Sequence, residues 1–200
     1  NGMLGAGANL PITYIPAGTT NDFARTLKLP RRIGDMRRVL ASGRDVAIDA
    51  GRFNDGYFSY VASFGAFTKC SYATPRSMKG IRDIAALEAR PMTVEADDCT
   101  YTGEYVFGAF SNTVSIGGML HYDSALVDMN DGKLEMLLIR KPENLGEVRR
   151  LVHALGSSDF DDPLFDFAAS SAFHLKTEQG FDWSVDGERA AGGTAVEIAC

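Results

Sequence analysis

Ten residues near the start of the chain, Pro16-Ala17-Gly18-Thr19-Thr20-Asn21-Asp22-Phe23-Ala24-Arg25, have the types and spacing to bind a phosphate. A strand that breaks at proline, turns on glycine and enters a helix leaves free backbone N–H groups where an anion can sit. Gly18 lets the backbone come close to a ligand, and the Thr19 hydroxyl can donate to a phosphate oxygen. An ordinary capped helix carries the same residues, and the spacing by itself favours that plainer reading. Two later places combine carboxylates with glycine: Asp131-Gly132-Lys133 and Asp186-Gly187-Glu188. Asp-Gly is first of all a hairpin turn, and a glutamate just after one is ordinarily a solvated strand residue. His121, His153 and His174 fit no metal-ligand or triad pattern and read as structural or surface residues. No Gly-x-Ser-x-Gly elbow supports a serine hydrolase. Cys70, Cys99 and Cys200 are odd in number, far apart and never in a C-x-x-C pair. That pattern disfavours a disulfide framework or a cysteine-built zinc site and suits a reducing compartment.

The elements that must position these residues divide the chain. Leu10 to Ile15 reads as a short buried strand. Pro16 to Thr19 breaks it, and Thr20 can cap a helix that carries Asp22 in its first turn and stops at Pro30. Ile33, Met36, Val39 and Leu40 share a helical face that ends at Gly43. From Val46 the period changes to two: Val46, Ile48 and Ala50 alternate with Ala47, Asp49 and Gly51. Asn54-Asp55-Gly56 then makes a hairpin turn into Tyr57–Phe64. Tyr57, Phe58, Tyr60, Phe64 and Phe67 read as core aromatics. Further strands are expected at Tyr105–Phe110, Leu134–Ile139, Phe173–Lys176 and Val196–Ala199. One helix carries Leu145, Val148, Leu151, Val152 and Leu155 on a single face and ends at Gly156. Ser157–Asp166, with its aspartates and proline, reads as a surface loop. The expected fold is mainly β, a sandwich or distorted barrel preceded by a short α/β segment.

The 200 residues are 45% hydrophobic and carry a net charge of −6, which disfavours a chain built to grip nucleic acid. No apolar run approaches the ~18 residues of a membrane span, and residues 1–7 lack the pattern of a signal peptide. The charge is uneven. Residues 1–45 hold seven bases against three acids, a net of +4, and the remainder carries −10. A basic edge of this kind is either a solvated helix face or a surface that meets the phosphates of a nucleotide or lipid headgroup.

Five motifs in order give a more specific reading. Pro-x-Gly-Thr-x-Asn-Asp-Phe-Ala-Arg at 16–25 resembles the signature of bacterial diacylglycerol kinase-like lipid kinases. Asp49-Ala50-Gly51 with Tyr57-Phe58 is similar to that family's hairpin, and Asn112–Gly118 to its central glycine motif. Asp131-Gly132-Lys133-Leu134 resembles its Asp-Gly-x-Leu turn, and Trp183–Glu188 its late Asp-Gly-Glu. The family's Gly-Gly-Asp-Gly-Thr loop is missing, so the sequence resembles the C-terminal part of a longer kinase, inactive alone. The segment around Met78-Lys79-Gly80 is also shorter than in the family.

The resemblance implies that residues 1–45 end an α/β nucleotide-binding domain and residues 46–200 form a β-sandwich lipid-kinase domain. It implies γ-phosphate transfer from ATP, with magnesium, to a lipid hydroxyl such as that of diacylglycerol. Thr19 would contact ATP. Asp131 would hold magnesium, with Asp128 and Lys133 contributing backbone oxygens, a donor set that suits a hard cation. Glu188 would be the general base that accepts the hydroxyl proton. The implied setting is cytoplasmic and peripheral to a membrane, with a neutral lipid substrate, no nucleic acid and a possible homodimer. A sphingoid-base kinase and a non-catalytic lipid- or nucleotide-binding regulator are the alternatives.

Overall fold

The structure, a computed structural model, describes residues 2–7, 10–18, 21–30, 32–66, 88–118 and 120–200. Thr19, Thr20, Phe67 and the segment around Met78–Gly80 lie outside the described residues. Helices are α1 (Gly2–Gly5), α2 (Asp22–Thr26), α3 (Ile33–Ser42) and α4 (Leu145–Ser157). Strands are β1 (Gly51–Phe53), β2 (Gly56–Phe58), β3 (Val61–Gly65), β4 (Arg90–Glu95), β5 (Thr100–Ser111), β6 (Ser115–Ile116), β7 (Leu120–His121), β8 (Leu134–Arg140), β9 (Phe165–Ser170), β10 (Ala172–Thr177), β11 (Asp182–Val185), β12 (Glu188–Ala191) and β13 (Ala195–Ala199). All except β6 and β7 belong to one curled antiparallel sheet in the order β12-β11-β3-β5-β4-β10-β13-β1-β2, with β8 on the other edge of β5 and β9 beside β8. The chain is mainly β, as the period-two runs and turn residues require.

β5 organises the sheet. Its first half, Thr100–Tyr105, pairs with β4, and its second half, Phe107–Ser111, pairs with β3 on the same edge. β8 lies along the opposite edge, with a register shift between Tyr105 and Phe107 that bends the strand. The curled sheet makes two apolar clusters. Leu134, Met136 and Leu138 of β8 face the first, around Trp183, and Leu137 and Ile139 face the second, beneath α4. β8 is thus buried on both sides, which explains its nearly continuous apolar run. Around Trp183 lie Phe64, Phe53, Phe181 and Phe110, with ring centroids 4.9–5.9 Å away. Such ring pairs contribute about 0.5–1.5 kcal/mol each beyond their buried area. Helix α4 turns Val148, Leu151 and Ala154 into the second cluster, while Leu145 and Val152 remain exposed.

Several expected boundaries move, each for a physical reason. Leu10–Ile15 forms no strand and is not buried: Leu10 is 66% and Ile12 74% exposed. A strand needs a neighbour to satisfy its backbone, and none of the described strands runs beside this one. Val46–Ala50 is likewise outside the ladder, because Asp49 spends its N–H on the carbonyl of Met129 at 2.7 Å. Pairing begins at Gly51, where any Cβ would run into the Phe58 ring of the facing strand. The Tyr57–Phe64 run splits at Ser59-Tyr60; Phe58 and Phe64 are core residues, and Tyr57 and Tyr60 are half-buried. Helix α4 continues past Gly156 to a left-handed Ser158. The segment read as a loop ends inside β9, whose Phe165 and Phe167 pack on the second cluster. Asp166 there accepts from the Tyr105 hydroxyl at 2.7 Å and pairs with Arg140 at 2.7 Å. The aspartates around it masked the alternation.

Candidate functional site

Helix α2 is only five residues long, and its sequence fastens it at both ends. Asn21, in the left-handed region at φ 50°, accepts from the Gly18 N–H through Oδ1 (2.8 Å) and donates to the Gly18 carbonyl through Nδ2 (2.6 Å). The amide closes the glycine turn rather than capping the helix. At the other end Leu29 N–H reaches back to the Ala24 carbonyl at 2.9 Å.

The inner face of α2 carries a buried carboxylate. Asp22, 3% exposed, accepts from Ser115 Oγ at 2.8 Å and from the Tyr60 hydroxyl at 3.1 Å, with the Arg25 guanidinium 3.8 Å away. A buried charge is tolerated when it is hydrogen-bonded and paired, and each such bond contributes about 1.5–3 kcal/mol. Thr26 Oγ1 meets Thr113 Oγ1 at 2.6 Å, and Arg25 Nη1 lies 3.1 Å from His121 Nε2. The helix is therefore docked on the 113–121 segment through polar contacts. The Tyr60 hydroxyl also accepts the Gly117 N–H at 2.8 Å. Burial holds this phenol above its ordinary range, with the Asp22 charge adding to the effect against the Gly117 bond, so it stays a donor.

A second turn is anchored to the same place. Asp186 (φ 50°) and Gly187 (φ 92°) form the left-handed pair that a two-residue hairpin between β11 and β12 requires. The Asp186 carboxylate accepts from Ser59 N–H (2.8 Å), Ser59 Oγ (3.2 Å), Tyr60 N–H (2.9 Å) and Val61 N–H (3.0 Å). Its own N–H donates to the Val61 carbonyl at 2.8 Å. Glu188, one residue past this turn, is exposed, and its carboxylate makes no hydrogen bond or ion pair among the described residues. A fixed turn presenting an uncommitted carboxylate can accept a proton from a bound hydroxyl.

The third locus is the turn before β8. Asp128 Oδ1 accepts the Asn130 N–H (3.1 Å), Asp131 Oδ1 accepts the Lys133 N–H (3.0 Å), and Gly132 adopts φ 75°. Asp49 Oδ2 accepts the Gly132 N–H at 2.7 Å. Asn112 Nδ2 donates to the carbonyls of Asp49 (2.9 Å) and Met129 (3.1 Å). Asp128, Asp131 and Lys133 are thus brought into one exposed turn, and no group of three or more metal-ligating side chains forms among the described residues. The turn's carboxylate and carbonyl oxygens still make a hard donor set of the kind magnesium takes, with waters completing its shell. Behind the turn Glu135 is 1% exposed, and neither carboxylate oxygen has a hydrogen-bond partner among the described residues. Burial pushes this carboxyl up to about 8.

Comparison with known proteins bears on what these turns belong to. Residues 1–53 match the diacylglycerol kinase catalytic domain family. The diacylglycerol kinase of Bacillus subtilis strain 168 is 28% identical over 203 residues, covering 94% of this chain and 66% of that protein. The diacylglycerol kinase of Staphylococcus aureus strain Newman is 26% identical over 188 residues, covering 87% of this chain and 58% of that protein. The fold is shared with a crystal structure of a diacylglycerol kinase from Bacillus anthracis str. Sterne, at TM-score 0.67 and 19% identity over 92% of this chain and 62% of that one. Another solved chain of that organism aligns at TM-score 0.73 and 22% identity, covering 92% of this chain and 63% of its own length.

The chain is similar to diacylglycerol kinases along most of its length.

It spans two thirds or less of the length of these relatives. Within it, three of the kinase-like motifs meet around one residue: Asp22 of the first, Gly117 of the glycine motif and Asp186 of the last all bond to Tyr60. The Asp131 turn is tied to the same framework through Asn112, whose neighbour Thr113 holds α2. Thr19, the residue the resemblance sets beside ATP, lies outside the described residues. Sequence reasoning passed over Tyr60, which looks like one more core aromatic, and gave Asp22 only a helix-end role. It also quoted Asp49 and Asp186 in motifs without seeing that each carboxylate clamps a distant backbone turn.

Proposed function

We propose that the protein containing this chain is an ATP- and magnesium-dependent lipid kinase that phosphorylates the hydroxyl of a neutral lipid such as diacylglycerol. The observation that carries this reading is the convergence of three motifs on Tyr60 with the uncommitted Glu188 carboxylate just beyond the Asp186 turn. Residues 1–45 complete an ATP-binding unit and residues 46–200 form the lipid-kinase domain, with most of the phosphate-cradling groups supplied outside these 200 residues. Thr19 contacts ATP.

In the reaction the lipid hydroxyl oxygen attacks the γ-phosphorus, the bond from that phosphorus to the ADP oxygen breaks, and the hydroxyl proton passes to Glu188. Asp131, with the backbone oxygens of Asp128 and Lys133, holds magnesium. When bound, the ion would supply charge neutralisation to the phosphates. The protein works as a cytoplasmic enzyme peripheral to the membrane; no described helix is long and apolar enough to cross one.

The test is incubation of the full-length protein with labelled ATP, magnesium and a panel of neutral lipids in mixed micelles. Label should enter one lipid class and fall by at least ~100-fold in Glu188→Gln, the scale of a general base. No labelled lipid with ATP binding intact would sink the reading.

A further inference from the structure

We propose that Tyr60 is a positioning residue that sets helix α2 against the turn displaying Glu188. Its catalytic consequence rests on the lipid-kinase reading, whereas the coupling itself does not.

Tyr60 sits between β2 and β3, where the aromatic run breaks, and each of its polar groups is committed to a different element. The hydroxyl donates to Asp22 Oδ2 on α2 at 3.1 Å and accepts the N–H of Gly117 at 2.8 Å. The backbone N–H donates to Asp186 Oδ1 at 2.9 Å. Gly117 is in the left-handed region (φ 61°), so its N–H direction is set by the turn and one acceptor serves it. A half-buried phenol bonded to both partners has little rotational freedom, because turning it breaks two bonds at once and leaves a buried carboxylate short of a donor.

The alternative supports do not span the gap. Ser115 also holds Asp22, but no bond of its hydroxyl reaches the hairpin. Asp186 holds the 59–61 backbone and makes no bond to α2. Among the described residues, Tyr60 alone hydrogen-bonds both to α2 and to the Asp186 turn, through its hydroxyl on one side and its amide on the other. Phosphoryl transfer needs its proton acceptor and its phosphate-binding elements in register, and a displacement of about 1 Å can cost on the order of 100-fold in rate. A rigid aromatic spacer with both ends bonded meets that need.

The experiment uses Tyr60→Phe in the intact protein, which keeps the ring and the amide and removes the hydroxyl. Amide hydrogen exchange should accelerate at least ~10-fold at Gly117 and across residues 22–26, since both lose a partner. Ser115→Ala serves as the contrast and should leave Gly117 unchanged. In the kinase assay kcat should fall about 10-fold with the lipid KM changed less than about twofold, the pattern of a misplaced group rather than a lost contact. Asp186→Ala cuts the device from its other side, and the double variant should fall by much less than the product of the two single losses. Unchanged exchange at 22–26 and Gly117 overturns the coupling. An unchanged kcat, or single losses that multiply, overturns the positioning role. Failure of the wild-type protein to label any lipid overturns the kinase reading instead, and the exchange result still decides the coupling.

Discussion

Asp49 and Gly132 lie 83 positions apart in sequence and meet at 2.7 Å, carboxylate oxygen to backbone N–H. The contact fixes the turn that carries Asp128, Asp131 and Lys133, because Gly132 at φ 75° has no ladder partner to hold it there. The Asp49 N–H completes the clamp by donating to the Met129 carbonyl. One aspartate therefore grips the turn at two places, Met129 and Gly132.

Asp49→Ala should destabilise the protein by about 1–3 kcal/mol, the cost of stripping a backbone donor of a charged acceptor. Asp49→Asn keeps an acceptor oxygen and should lose under ~1 kcal/mol. Urea unfolding of the two variants separates the hydrogen bond from the charge. Equal losses would mean that the charge, not the bond, matters.

Glu135→Leu should raise stability. The wild-type carboxyl is buried with both oxygens unpartnered among the described residues, and a polar group in that position costs about 1–3 kcal/mol by mutational measures. An apolar side chain of similar size removes that cost and extends the second apolar cluster. The urea midpoint should move upward; a large downward shift would show that the carboxyl is engaged.

Trp183→Ala should cost about 3–5 kcal/mol, as expected when a large core aromatic is truncated. The indole is 3% exposed and touches four phenylalanine rings. Trp183→Phe should lose less, because its Nε1–H has no hydrogen-bond partner among the described residues to forfeit. Thermal unfolding of the pair checks the order.

Gly187→Ala tests the presentation of Glu188. A Cβ there meets nothing within 4 Å, so the penalty comes from the backbone at φ 92° alone. Left-handed backbone costs an L-residue about 1–2 kcal/mol, and the hairpin can relieve it only by moving the turn. In the kinase assay kcat should fall while ATP binding is retained. A stability loss with full activity would show that turnover does not depend on this turn.

Much of the fold was legible because it rests on short-range pattern. The continuous apolar runs of β5 and β8, the alternation in β10 and β13 and the face of α4 follow from burial on both sides, on one side, and with a period of 3.6. What escaped was decided by partners far away in sequence. Leu10–Ile15 has strand chemistry and no described strand beside it, and β9 hides behind a run of aspartates of which Asp166 binds Tyr105 and Arg140. The motifs named Asp131 and Glu188; Asp131 lies in a turn, and Glu188 opens β12 directly after one. The clamps that hold those turns, Asp49 and Asp186, act through backbone N–H groups, which leave no trace in side-chain identity. Tyr60 was invisible for another reason: a tyrosine beside core phenylalanines looks like packing until its hydroxyl finds Asp22.

The clamp between Asp186 and the 59–61 backbone spans 125 positions from Val61, and it has a cost in time. At about 5–20 residues per second, ribosomal synthesis separates the two ends by roughly 6–25 s. Throughout that interval the β3 edge that β11 will occupy, at Ala62 and Ser63, has no partner from its own hairpin. A nascent chain in this state offers an open strand edge to any other extended segment, including that of a neighbouring copy. The last hairpin to emerge both completes the site and closes that edge, so slow synthesis or a truncation before Asp182 should show itself first as aggregation.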